Sequence, residues 1–428
     1  MTLLALGISH RTLSVEQREK AALSCDAARG LLRELIASRA VSEAVALSTC
    51  NRTEIYVSSP DPDRAEAVVA RALVAHTRIA PDELASARYL LRDEGAATQL
   101  FRVASSLDSM VIGESEIQGQ VRDAWELAVD EGCTGQVIDR LFRQALEVGK
   151  QVRTATRIGA GSASISAVAV ELAADAVDDL PGRRVLVIGA GQVAEATVRS
   201  LVRRGARDVA VVNRTAGAAR ELAGRIGGRG AGFDRLAEEL ALADIVISST
   251  DAPNLILRPA AIGTAMSSRA ERPMVIVDIS VPRDVHAGAA AVAGVALFDI
   301  DDLARVAEAG LNGRRVEAQR GEGYVIGAVR AFAAWRRGLQ AAPAITALRA
   351  RAEDIRRSEL ARLVDEWDDL SDTDRRRLDA LTRRMVTKLM HEPTVRLRAA
   401  AEAGDATRVA DLQHLLGLEL PFGVGGSP

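Results

Sequence analysis

The sequence predicts an α/β protein in three parts: a small N-terminal α/β domain, a doubly wound parallel-sheet domain, and a C-terminal run of helices. Three observations predict it. Residues 183–215, RRVLVIGAGQVAEATVRSLVRRGARDVAVVNRT, read as strand, Gly-rich turn, helix and second strand. DIVISST and PMVIVDIS then supply two unbroken apolar strands, the kind buried on both faces of a parallel sheet. After Asp301 the strand signals stop and apolar residues recur at helical spacing.

Each element has its own signal. Residues 3–8 are a short apolar strand. Ser14 is an N-cap with Gln17 at capping-box spacing, so a helix opens over 14–20. Leu31, Leu32, Leu35 and Ile36 carry helical spacing, and residues 44–47 and 54–57 are the next strands. Residues 62–157 are mostly helical: Val121, Trp125 and Val129 recur every fourth residue, and Leu141, Leu146 and Val148 lie in a further periodic stretch. Gly159-Ala160-Gly161-Ser162 breaks the chain, a helix follows over 164–178, and Pro181-Gly182 ends it. VALFDIDDL adds a last strand. Val325, Val329, Phe332 and Leu339 share a helical face. Pro343 should kink or restart that helix, after which Ile345, Leu348, Ile355 and Leu363 continue the stripe. Such a tail needs a partner, another helix or another subunit. Residues 420–428 read as a frayed end. The expected domains are 1–160, 161–300 and 301–428.

Bulk properties narrow the function classes. A chain of 428 residues exceeds one core, and 48% hydrophobic content argues against disorder. A net charge of −3 leaves any nucleic-acid contact to a local patch, and 3% aromatics disfavours stacking platforms. Cys25, Cys50 and Cys133 are far apart and belong to no CxxC or Cys/His cluster, so neither a disulfide framework nor a metal site is expected. Their pattern suits a reducing cytoplasm. No apolar run long enough to span a membrane is present, and the N-terminus does not read as a signal peptide.

Gly189-Ala190-Gly191-Gln192-Val193-Ala194 matches G-x-G-x-x-A after a strand and before a helix, the Rossmann context. Gly189 permits the tight turn, Gly191 lets a pyrophosphate approach the helix N-terminus, and Ala194 allows close helix–strand packing. The alternative is a Gly-rich turn with no ligand. The second strand ends in Asn213-Arg214-Thr215, with no acidic residue to hold a ribose 2′-hydroxyl. Arg214 and Thr215 suit a 2′-phosphate instead, which favours NADPH. Arg214 facing solvent is the alternative.

In ALSTCNRTEIY, Cys50 ends an apolar run and has Arg52 two residues on. A nicotinamide domain plus an outside cysteine suggests acyl chemistry: thiolate attack, a thioester, and its reduction by hydride to an aldehyde. Arg52 would favour thiolate and could bind a substrate carboxylate. A buried cysteine at a strand end is the alternative.

STCNRTEIY resembles the T-C-N-R-x-E signature of glutamyl-tRNA reductase. GISHRT with QREK, FRVASSLDSMVIGESEIQGQVR, VLVIGAGQVAE, VNRT, VIVDISVPRDV and LTRRMVTKLMHEPTVRL resemble other motifs of that family in the same order, from about residue 3 to 415. The resemblance implies a catalytic α/β domain, a Rossmann NADP domain and helices for dimerisation, in an elongated V-shaped homodimer whose long spinal helix fits residues 301–340. It implies that Cys50 attacks the ester joining glutamate to tRNA, and that NADPH reduces the thioester to glutamate-1-semialdehyde, the precursor of 5-aminolevulinate in tetrapyrrole synthesis. It implies substrate contacts at Thr49, Asn51, Arg52, Ser109, Glu114, Ser115, Glu116 and Gln120. Arg52 suits the glutamate side-chain carboxylate by bidentate pairing, and Glu114 the α-ammonium. Ser115 to Gln118 also reads as a capping box, which would make some of these residues helix starters only. A hand-off of the semialdehyde to an aminomutase fits its reactivity.

The chain departs from the family at three places. Gln99 stands where a histidine usually precedes LFRVA, and an amide cannot transfer a proton near pH 7. Losing a general acid–base typically costs ~10²–10⁴ in rate. Glu116 replaces a usual glutamine and Ser106 a usual glycine. His10 reads as a hydrogen-bonded structural histidine, with a general acid as the alternative, and His391, Cys25 and Cys133 read as structural. Gln99 motivates a second reading, a catalytically weak paralogue that binds glutamyl-tRNA or a pathway enzyme. A shikimate-dehydrogenase-like enzyme shares the GxGxxA and NRT features but not the cysteine motif or the helical tail.

Overall fold

The computed structural model describes residues 1–114, 116–156, 158, 165–177, 180–250, 252, 254–269, 272–309, 314–367 and 371–418. It divides into two compact units, 1–326 and 327–428. The first unit holds two sheets.

The first sheet is antiparallel and four-stranded, in the order β2-β3-β1-β4. Its strands are β1 (Thr2–Ser9), β2 (Glu43–Ser48), β3 (Arg52–Ser59) and β4 (Tyr89–Arg92). The register pairs Ser48 with Thr53 and Ser9 with Arg52. Cys50 therefore lies in the tight connection between β2 and β3, beside the end of β1. β3 is buried along its whole length, which is why its polar residues must find partners inside the protein. Tyr56 packs edge-on against Phe142 of helix Gln136–Ala155, with ring centroids 5.6 Å apart. β4 was not expected from the sequence: four residues are too few for alternation to show. Helix Val15–Ala21 is capped as expected, Gln17 Oε1 accepting from the Ser14 N–H at 3.2 Å.

The second sheet is parallel and six-stranded: β5 (Arg184–Ile188), β6 (Asp208–Val212), β7 (Arg229–Ala231), β8 (Ile245–Ser248), β9 (Met274–Asp278) and β10 (Val295–Phe298). Its order, β7-β6-β5-β8-β9-β10, is the doubly wound arrangement with its switch point between β5 and β8. The unbroken apolar runs are explained by burial on both sides. Val187, Val211, Ile247 and Val277 enter one core, and Ile188, Val212, Val246 and Ile276 the other. β7 is three residues long and carried no sequence signal.

The unit 327–428 is helical. Pro343 sits in the first turn of helix Ala342–Glu366, so it restarts a helix rather than kinking one. That helix pairs with Asp372–Ala403 around Ile345, Leu348, Leu397 and Ala401. The expected stripe ends at Leu348, because Ile355 is exposed. Leu381, Met385 and Leu389 are exposed at fourfold spacing along the second helix. The helix expected over 301–340 is described as Ile300–Ala309 and Arg314–Leu339, with 310–313 outside the described residues, as are Gly159 to Ser162 and 420–428. Among the described residues, no helix is long and apolar enough to cross a membrane.

Candidate active site

The Thr49–Arg52 connection is held by its own side chain. Thr49 Oγ1 accepts from the Asn51 and Arg52 N–H groups at 3.2 and 3.3 Å, and the Thr49 N–H donates to the Arg52 carbonyl at 2.8 Å. The turn thereby sets Cys50 at the wall of a cleft of about 860 Å³ that Ser48, Thr49, Glu116, Gln120, Ser249 and Thr250 also line. Cys25, read as structural, lies on the same cleft, whereas Cys133 is buried.

Behind the turn is a buried charge cluster. The Arg52 side chain is 1% exposed, and its Nη1 donates to Glu54 at 3.0 Å and to Asp108 at 2.8 Å, while Nη2 donates to the Asp108 carbonyl. The fork expected to grip a substrate carboxylate is thus committed to two internal ones. Only Arg52 Nε lacks a partner. Tyr56 and Tyr89 donate to Glu54, and Arg11 pairs with Asp108 at 2.8 Å. Gly7 makes room for this: a Cβ there would lie 2.7 Å from the Tyr89 hydroxyl. Gln99 joins the cluster from helix Glu94–Ala104, Nε2 donating to Glu54 at 2.8 Å and Asp108 at 3.1 Å. It therefore steadies the counter-ions of Arg52. Burial would push Asp108 up, but the Arg52 guanidinium holds it below the usual carboxylate range.

Three buried polar atoms around the turn have no hydrogen-bond partner: His10 Nδ1, Asn51 Oδ1 and Arg52 Nε. An acceptor, a donor and an imidazole nitrogen left unpaired together suit a polar ligand. His10 was expected to be a hydrogen-bonded structural histidine; only its backbone is so used, donating to the Asn51 carbonyl at 2.8 Å. Burial and the nearby Arg52 lower its ring to about 4, so it is neutral at pH 7.

Arg52 does favour the thiolate, as expected, but it does not decide the outcome. Burial, then Glu114 and Glu116, push the Cys50 thiol up to about 12, outweighing Arg18 and Arg52. Burial, with Glu116 adding, also pushes Glu114 up to about 7. Ser109 is buried beside it. Ser115 lies outside the described residues. The Gln118 amide donates to the Leu146 carbonyl at 2.9 Å. One consequence is testable. Alkylation of Cys50 by iodoacetamide should rise about tenfold per pH unit from pH 7 to 10, since only thiolate reacts. A plateau near pH 8, read by peptide mass spectrometry, would contradict the raised thiol.

The Gly-rich turn lines a second cleft, of about 730 Å³, with Gly189, Ala190, Gly191, Gln192, Val193, Asn213 and Arg214 on its wall. Gly189 has φ +116°, and a Cβ there would meet the Ser249 carbonyl at 2.4 Å. A Cβ on Gly191 would meet nothing within 4 Å, so backbone lies open at the N-terminus of helix Gln192–Arg203. Ser249 Oγ is buried without a partner. These features fit a dinucleotide. Ala194 is fully buried against the sheet, and Thr215 is the N-cap position of helix Ala216–Gly224, its carbonyl accepting from Asn213 Nδ2 at 3.4 Å. Glu116, Gln120, Val193, Ser249 and Thr250 border both clefts.

Comparison with known proteins decides the family. The glutamyl-tRNAGlu reductase N-terminal domain matches residues 6–156, the shikimate/quinate 5-dehydrogenase family residues 171–306, and the glutamyl-tRNAGlu reductase dimerisation domain residues 321–418. The chain is 42% identical to a glutamyl-tRNA reductase of Rubrobacter xylanophilus, covering 97% of this chain and 96% of the relative. It is 39% identical to that of Pelobacter propionicus, covering 98% and 96%. The chain belongs to the glutamyl-tRNA reductase family. A solved glutamyl-tRNA reductase, from Methanopyrus kandleri, is 32% identical over 98% of this chain and 99% of that one, with a TM-score of 0.50. The shikimate-dehydrogenase likeness is thus confined to the nucleotide-binding part of a family member. Ser106, where that family usually has glycine, takes φ +57°, and its hydroxyl donates to the Glu114 carbonyl at 2.6 Å, which offsets the strain of a left-handed serine.

The sequence missed Glu54, Asp108 and Arg18 as working parts of the site. Each has at least one partner 32 or more residues away in sequence, and only the match to family motifs touches them.

Proposed function

We propose that the protein reduces glutamyl-tRNA(Glu) to glutamate-1-semialdehyde, with NADPH as reductant and a thioester on Cys50 as intermediate. The observation that carries this reading is the wall shared by the two clefts, which makes the cleft of the Gly-rich turn and the cleft of Cys50 neighbours.

The Cys50 sulfur bonds to the glutamyl carbonyl carbon as the ester C–O bond breaks, and the thiol proton leaves on the tRNA hydroxyl. Asn51 Oδ1 and Glu114 receive the α-ammonium, whose arrival restores the charge that burial takes from Glu114. Arg52 Nε donates to the substrate carboxylate, while Glu54, Asp108 and Gln99 keep the guanidinium plane fixed. Gly189 to Ala194, Asn213, Arg214 and Thr215 hold the cofactor, which when bound supplies the hydride. With that hydride and a proton, the acyl group becomes a thiohemiacetal on Cys50, which collapses to aldehyde and free thiol. The direct test compares wild type with Cys50→Ser in a single turnover on glutamyl-tRNA.

Arg214 lines the nucleotide cleft with no carboxylate at the end of β6. Arg214→Ala should raise the KM for NADPH about 10-fold or more and leave that for NADH nearly unchanged, as expected for one lost charge-assisted contact to a phosphate. Equal losses with both cofactors would contradict the 2′-phosphate role.

The protein works as a cytoplasmic homodimer in this reading, and its reactive aldehyde suits direct transfer to an aminomutase. The dimerisation-domain match at 321–418 and the exposed Leu381, Met385 and Leu389 support the dimer. Met385→Glu should shift sedimentation toward monomer at micromolar concentration. An unchanged dimer would remove this stripe from the interface.

A further inference from the structure

Helix Val15–Ala21 joins the two sheet-bearing parts of the first unit by two carboxylate contacts. Asp301, in the first turn of helix Ile300–Ala309 after β10, accepts from the Val15 N–H at 3.1 Å and from Arg18 Nη2 at 2.9 Å. Glu19 accepts from the Arg283 backbone N–H at 2.6 Å and from its Nε at 2.9 Å and Nη2 at 3.2 Å. The two contacts differ in one respect. Among the described residues, Arg283 and Glu19 bond to each other and not to the Thr49–Arg52 turn. Arg18, with a side chain 3% exposed, does: its Nε donates to the Cys50 carbonyl at 3.3 Å and its Nη1 to the Leu13 carbonyl at 2.8 Å.

We propose that Arg18 is a positioning residue that ties the seating of the nucleotide-binding part to the placement of Cys50, with Asp301 holding Arg18 and Arg18 holding the Cys50 carbonyl. The proposal rests on Cys50 being the nucleophile. One guanidinium spans three segments, so a shift of Asp301 must either drag the cysteine turn or break a bond. A buried guanidinium left without its carboxylate is costly, which makes the linked arrangement the favoured one. The device places the sulfur when the parts that carry the cofactor are in contact with it. Arg18 also adds positive charge beside a thiol that burial and two glutamates disfavour as thiolate. No substrate contact is required of it.

The test uses the full chain and three variants: Arg18→Gln, Asp301→Asn and Arg283→Ala. Two readouts need no cofactor: the pH profile of Cys50 alkylation, and tRNA release from glutamyl-tRNA. The third is aldehyde formed in a single turnover with NADPH. Arg18→Gln should move the alkylation profile to higher pH and slow tRNA release about tenfold, the scale of a misplaced nucleophile. Asp301→Asn should slow tRNA release about threefold or more by freeing Arg18. Arg283→Ala should leave alkylation and tRNA release as in wild type and slow only aldehyde formation. If folded Arg18→Gln, or Asp301→Asn should the first fail to fold, keeps wild-type alkylation and tRNA release, the positioning role is overturned. Failure of the underlying reading looks different: tRNA release by wild type itself would be insensitive to Cys50→Ser.

Discussion

Cys50→Ser is expected to lower semialdehyde formation from glutamyl-tRNA by at least about 10³-fold. NADPH affinity should stay within about twofold of wild type, because the cofactor cleft is built by other residues. The physical reason is specific to sulfur. A serine hydroxyl is a weaker nucleophile and, once acylated, leaves an oxygen ester no easier to reduce than the substrate ester. Cys50 packs partly against the apolar core, so a hydroxyl there also loses a favourable surrounding. Rapid-quench assays with labelled glutamyl-tRNA measure the first quantity, and quenching of NADPH fluorescence the second. Substantial aldehyde from the serine variant would contradict a covalent route.

The second large effect is on stability. Arg52→Met keeps most of the volume but leaves Glu54 buried without its cation and Asp108 with only the exposed Arg11. Breaking a buried pair in this way costs about 3–5 kcal/mol. The midpoint of thermal unfolding should fall by roughly 4–7 °C for a unit of this size. The pH dependence follows from Asp108, whose pKa in the folded protein is held below its ordinary value by Arg52 against the effect of burial. A depressed carboxylate contributes stability above its unfolded pKa, and that contribution is lost as pH falls through the folded pKa. The gap between wild type and Arg52→Met should therefore be widest near neutral pH and narrow in acid. Arg52→Met combined with Asp108→Asn should recover part of the loss. A drop of under about 1 kcal/mol in the single variant would mean the cluster is hydrated and not a true interior ion pair.

Local patterning carried most of the fold. The GAGQVA turn, the runs around β5, β8 and β9, and the Ser14–Gln17 cap all lie where residue periodicity put them. β4 and β7 escaped because each is too short for a period to show. Ile355 breaks the predicted stripe because periodicity reports which residues share a face, not how far along a helix that face stays covered. The site was legible in its parts, Cys50 and the Gly-rich turn, and illegible in its wiring. The Arg52 fork was read as a substrate clamp because nothing in TCNRTE reveals that Asp108, 56 residues on, will bind it. Gln99 was read as a lost proton donor. Its place between Glu54 and Asp108 makes it a support for the arginine, and that depends on contacts across 45 and 9 residues. The Cys50 thiol was judged by its basic neighbour. Burial and two glutamates, which only the fold brings close, decide it in the other direction.

The measurement that tests the central claim most directly is intact-protein and peptide mass spectrometry of the enzyme quenched in acid after mixing with glutamyl-tRNA and no NADPH. The account predicts a glutamyl adduct on the Cys50 peptide that is absent in Cys50→Ser and disappears when NADPH is added before quenching, with semialdehyde appearing in equal amount. An unmodified Cys50 peptide, with tRNA bound but its ester intact, would contradict the thioester route and leave the chain a binder of glutamyl-tRNA.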